Sequence, residues 1–99
     1  MLIISGTAEC ILESNQYSKD ERHILTMFST DESLENNLEA IEKNLNNLGW
    51  DKIVIEEIEI ISNNNSLDHA VLKEGFDKAA KHGLSFVVHN EALAEATAA

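Results

Sequence analysis

The feature that most narrows the fold of this chain is the join between a helix-spaced and a strand-spaced run of branched residues across positions 34–62. Leu34, Leu38, Ile41, Leu45 and Leu48 recur at spacings of four, three, four and three, which sets five branched side chains on one face of a helix of about four turns. Gly49 follows, able to take the left-handed conformation that closes a helix. Residues 48–62, LGWDKIVIEEIEIIS, then change to the two-residue period of a strand, expected to be the inner strand of one small sheet. A helix laid on a sheet lets both patterns bury their apolar sides.

Within residues 52–62 the alternation slips at Glu56 and Glu57. A β-bulge there would gather Ile53, Ile55, Ile58 and Ile60 on one face and leave the acids outside. An unbroken strand would place Val54, Ile58 and Ile60 on one side with Glu56 among them, and Ile53, Ile55 and Ile61 on the other. The unbroken strand is the expectation adopted, because two helices covering one face leave the other free for a neighbouring subunit.

The remaining elements follow from local pattern. Leu2, Ile4, Ala8, Cys10 and Leu12 alternate with Ser5, Thr7, Glu9 and Glu13, a strand signature in which Gly6 marks a bulge, bend or break. Residues 14–21 are polar and turn-forming, and residues 22–29 are apolar on both faces at their centre, as an internal strand requires. Ser29, Thr30, Asp31 and Glu32 supply a hydroxyl cap and first-turn acids for the helix. Residues 62–66, SNNNS, form a loop and second cap before a helix over 67–82 that buries Val71, Leu72, Gly75, Phe76, Ala79 and Ala80. Gly83 ends it, and residues 84–89 make a short internal strand.

The expected fold is therefore α+β: a two-layer α/β sandwich of order ββαβαβ, with a mixed four-stranded sheet and both helices on one face. Right-handed crossovers would make the last three strands parallel, with the first antiparallel at an edge. Residues 1–90 form the single domain and residues 91–99 a flexible or weakly helical tail. A chain of 99 residues, 43% hydrophobic and 25% charged, is long and apolar enough for one such core.

Eighteen acidic side chains against seven basic ones give a net charge of −11, which opposes nucleic-acid binding through any uniform face. The apolar runs are far too short for a membrane span, and residues 1–7 lack the basic leader and long apolar core of a secretory signal. A cytoplasmic location is expected, and the single cysteine, Cys10, allows no intramolecular disulfide.

Candidate chemistry is sparse. His23, His69, His82 and His89 show no i, i+4 pair and have no cysteine partners, so no metal site and no cofactor are expected. Asp68 and His69 are helical neighbours that point about 100° apart, although folding could bring His89 near them. Asp68 reads more simply as a first-turn acid, His82 as a helix carboxyl-end residue and Cys10 as a small core residue. Four scattered glycines form no phosphate loop or nucleophile elbow. No enzymatic activity is expected.

The acids are more organised. Glu35, Glu39 and Glu42 line one face of the first helix, and only Lys43 stands at the i, i+4 spacing from Glu39. A charged outer helix face commonly serves solubility. The sharper expectation is a small non-enzymatic protein-binding or regulatory module in which Glu35, Glu39, Glu42, Glu56, Glu57 and Glu59 dock a basic protein, a class that includes small acidic inhibitors of nucleases or toxins by analogy of size and charge alone. Such a chain is also expected to form a homo-oligomer. The alternative is a sensor holding a small molecule at a subunit interface, using the sheet edge and His89.

Overall fold

A computed structural model of the chain describes residues 1–15 and 17–92. The elements are β1 (Leu2–Cys10), β2 (Arg22–Ser29), α1 (Leu34–Asn47), β3 (Trp50–Ile60), a short 3-10 turn (Asn64–Ser66), α2 (Ala70–His82) and β4 (Leu84–Ala92). The order ββαβαβ is as expected, and the class is α+β. The tail expected beyond residue 90 is shortened by β4, which runs to Ala92, and residues 93–99 lie outside the described residues.

The sheet corrects several expectations: β1 is central where an edge was expected, and β3 and β4 are edge strands where internal ones were expected, because the chain adds β3 and β4 outside the β1–β2 hairpin. The strand order is β3-β1-β2-β4 and every neighbouring pair is antiparallel, so the sheet is not mixed. β2 and β3 do run in the same direction, joined by α1 as a crossover, but β4 runs against them. The cause is the connection at residues 61–69. β3 ends at Ile60 opposite Leu2, and β4 starts at Leu84 opposite Ser29, which itself faces Leu2. Residues 61–69 travel along the sheet, and α2 then returns to the end where β3 stopped. The Thr30 amide donates to the Gly83 carbonyl at 3.0 Å, which ties that returning end beside the end of β2.

The helices also lie on opposite faces. Cross-strand partners share a face in an antiparallel sheet, which puts Leu2, Ile4, Ala8, Cys10, Leu25 and Met27 on one side, packed with Ile41 and Leu45 of α1. Ile3 and Phe28 face the other way and pack with Leu72, Phe76 and Ala79 of α2. Gly75 allows the close approach of α2, since a Cβ there would come within 2.8 Å of both Phe28 and Val87.

Local details shift by about a turn from the expected positions. Ser33 caps α1 by accepting from the Asn36 amide, while the Ser29 hydroxyl donates to the buried Asn37 side chain at 2.6 Å. Asn37 in turn donates to the Asp31 and Ser33 carbonyls, so a polar residue occupies the helix stripe with all of its bonding directed at the β2–α1 turn. Leu34 is half-buried, whereas Leu38 and Leu48 are 45% and 64% exposed. The buried stripe is thus centred on Asn37, Ile41 and Leu45. α2 begins at Ala70, leaving Asp68 outside the helix and Val71 and Ala80 exposed.

β3 contains the bulge, not the unbroken strand. Ser5 faces Glu57 and Gly6 faces Ile55, which leaves Glu56 as the extra residue. Ile55, Ile58 and Ile60 consequently share the α1 face with Ile53, and Glu57 and Glu59 share the α2 face. A second register shift lies between the Thr7 and Glu9 pairs, beside Lys52 with its positive φ of 50°. Arg22 secures it, donating to the Thr7 hydroxyl and the Lys52 carbonyl at 2.8 Å each.

Gly6 is required where β1 meets the first bulge, because a Cβ there would run into the Val54 carbonyl. Gly6→Ala should therefore destabilise the fold by about 1–3 kcal/mol, the usual cost of overpacking. Urea unfolding measures this, and an unchanged midpoint would mean that β3 does not approach β1 so closely.

Candidate protein-binding surface

β3 is an edge strand, and among the described residues no strand pairs with its outer side. Beyond the bulge its side chains alternate cleanly. Ile58 and Ile60 point to the α1 face at 49% and 61% exposure, because α1 covers Ile53 and Ile55 but does not reach them. Glu57 and Glu59 point to the opposite face, where α2 packs with β2 and β4 instead. Val54 is exposed on that face too, with half-exposed Ile24 two strands away across Thr7.

α1 adds its acids from above. Leu38 and Glu42 lie on the flank of α1 that faces β3, lining a hollow of about 360 Å³ with Ile41, Asp51, Lys52, Ile53 and Ile55. At 100° per residue, Glu35 lies about 120° and Glu39 about 160° round from the buried Ile41, so they turn progressively from that flank to the outer side of the helix. All three acids are exposed, as are Glu56, Glu57 and Glu59. The six acids therefore do not form one flat patch. Glu42 stands on the α1 face of the β3 edge, Glu57 and Glu59 stand on the other face, Glu56 sits at the bulge, and Glu35 and Glu39 turn to the outer side of α1. On β3 itself, Lys52 is engaged with Glu9 at 3.1 Å.

The histidines divide into separate environments. His23 is 1% exposed and sits among aromatic rings, edge-on to Tyr17 at 5.1 Å and to Trp50 at 5.4 Å. Its Nδ1 donates to the His89 carbonyl at 2.7 Å, while Nε2 is buried with no hydrogen-bond partner among the described residues. His69 precedes α2 without capping it through its side chain, and His82 lies in the last turn as expected. Folding does bring His69 and His89 together, lining a hollow of about 260 Å³ with Val71, Leu72, Val87 and Val88. The His89 ring also bonds the Thr26 hydroxyl at 3.3 Å. Asp68 is not part of that lining. Cys10 is buried, its thiol directed at the Leu12 carbonyl. Among the described residues, no three His, Cys, Asp or Glu side chains converge into a group that could hold a metal ion, and no helix is long and apolar enough to cross a membrane.

The exposure of Leu38 escapes a periodicity reading, because its place in the leucine series marks it as core. For Ile58 and Ile60 the signal is present as the slip at Glu56 and Glu57, whose resolution as a bulge sets both on one exposed line. Compared with protein-family models, curated proteins and solved structures, the chain gives no significant match.

If Ile58 and Ile60 are surface residues in the free protein, Ile58→Lys and Ile60→Lys should each change unfolding free energy by no more than about 0.5 kcal/mol. Chemical denaturation checks this; a loss above about 1.5 kcal/mol would place them in a buried contact.

Proposed function

We propose that the chain is a small acidic protein-binding module whose target is a basic protein, recognised along the β3 edge. The observation that carries this reading is the conjunction of exposed Ile58 and Ile60 with the carboxylates of Glu42, Glu57 and Glu59 beside a strand whose outer edge has no strand partner among the described residues. Apolar area supplies the driving force for association, and the surrounding charge selects the partner and speeds encounter. Solubility alone accounts for the carboxylates but leaves large branched side chains in water without a role. An inhibitor of a basic protein works in this way, by occupying a cationic surface, and no catalytic residue is needed.

Affinity capture from the source cell at low and high salt, followed by mass measurement, tests the reading. A basic protein should be retained at low salt and released at high salt. The triple variant Glu35→Lys, Glu39→Lys, Glu42→Lys should slow its association several-fold at low salt and little at high salt, since exposed charges are screened over about 10 Å at 0.1 M. Association at an unchanged rate in the variant would sink the proposal.

A second reading draws on the hollow between α2 and β4, where His69 and His89 stand above Val87 and Val88 beside the other free sheet edge. A small molecule held there, with a second copy closing the edge, would make the protein a ligand sensor. At about 260 Å³ the hollow is slightly below the usual range for ligand sites, as a half-site completed by a neighbour would be. Ligand binding would then raise the melting temperature and drive dimer formation together. A panel of metabolites in a thermal-shift assay, run beside sedimentation, checks this, and a monomer with no shift removes it.

A further inference from the structure

We infer that the basic partner, on the reading proposed above, docks by adding an extended strand to β3, with its apolar side chains on the α1 face and its lysines or arginines on the α2 face. Residues 57–60 are the template. They pair with β1 in four consecutive residues without a register break, Ser5 with Glu57 through Leu2 with Ile60. Their outer backbone groups have no strand partner among the described residues. An incoming strand would satisfy those groups and lay one set of alternate side chains beside Ile58 and Ile60, reaching toward Leu38 and the hollow under α1. Its other set would lie beside Glu57 and Glu59.

Charge decides between occupants. A second copy pairing through β3 would bring Asp51, Glu56, Glu57 and Glu59 against the same four acids, with only Lys52 from each copy to offset them. A cationic strand meets no such repulsion. Acids and a bulge on an edge strand also guard against indiscriminate pairing, but a strand that is only guarded has no reason to keep two isoleucines in water on its core-facing side. The guard therefore acts selectively, rejecting copies and admitting cations. The other edge is the internal control, since residues 84–89 of β4 contain no carboxylate.

The test uses the full chain and a soluble ten-residue peptide alternating lysine and valine, together with two isomers N-methylated on one or the other set of alternate residues. N-methylation removes amide donors from one edge of a strand and leaves composition and charge intact. Strand addition predicts that one isomer binds about tenfold or more weaker than the other, because only one set of donors faces β3. It also predicts that the double variant Glu57→Lys, Glu59→Lys abolishes binding of the parent peptide at low salt. Equal binding of the two isomers overturns strand addition and leaves the acidic-surface reading in place. Absence of binding by the parent peptide overturns strand addition as well, and the wider reading then rests on the salt-dependent capture and the α1 charge reversal.

Discussion

The central β1–β2 pair must be buried on both of its faces, and most of the architecture follows from that requirement. Leu25 and Met27 face one way and Phe28 the other, all fully buried, while Ile4 and Ile3 do the same on β1. Helices on one side alone would leave Phe28 and Ile3 in water, at a cost of about 1.5–3 kcal/mol for each large side chain. One helix per face is the solution available to a chain with two helices. A helix about 10 Å across covers roughly two strands spaced about 4.8 Å apart, so each face of a four-stranded sheet keeps an uncovered part. The exposed Ile58 and Ile60 are a consequence of that geometry as much as of their own sequence.

How far the fold can be read from the residues depends on which physical signal each part leaves. The elements and their order are legible because helix and strand periods differ, and because Gly49 and Gly83 stop both helices with φ of 95° and 93°. The faces are legible in principle: β2 is apolar on both sides, and Ile3 breaks the alternation of β1 in the direction that α2 needs. Strand direction is not. It turns on whether residues 61–69 act as a short cap or cross the sheet, and a run rich in Asn and Ser suits either. Nor does periodicity separate Leu38 and Leu48 from Ile41 and Leu45, since all share a helical spacing. The difference comes from Asn37, whose three hydrogen bonds to the β2–α1 turn roll the helix until its polar amide faces inward.

The bulge at Glu56 connects fold to surface. Without it, Ile58 and Ile60 would lie on the face opposite Ile53 and Ile55, and Glu57 and Glu59 would turn toward α1. With it, β3 presents one apolar line that starts under α1 and continues past the end of the helix's cover. The close contact at Gly6 is the local condition for this arrangement, because the carbonyl displaced toward β1 leaves no space for a side chain. A glycine in β1 and a paired glutamate in β3, far apart in sequence, therefore act as one feature.

An edge strand faces two opposing demands: it must not polymerise with its own copies, and a binding edge must still accept a partner. Uncharged polar residues at positions 57 and 59 would satisfy neither, since they would discourage no copy and attract no target. Carboxylates there separate the two cases by sign, because the interaction of like charges across a strand pair is unfavourable and that of opposite charges favourable by comparable amounts. On the proposed reading, Glu42 beside the edge and Glu35 and Glu39 on the outer side of α1 would extend the same discrimination over the approach, acting on encounter before any backbone pairing forms. On that reading, the net charge of −11 is less a uniform coat than a field with an organised part beside β3, whose outer edge has no strand partner among the described residues and which carries the exposed Ile58 and Ile60.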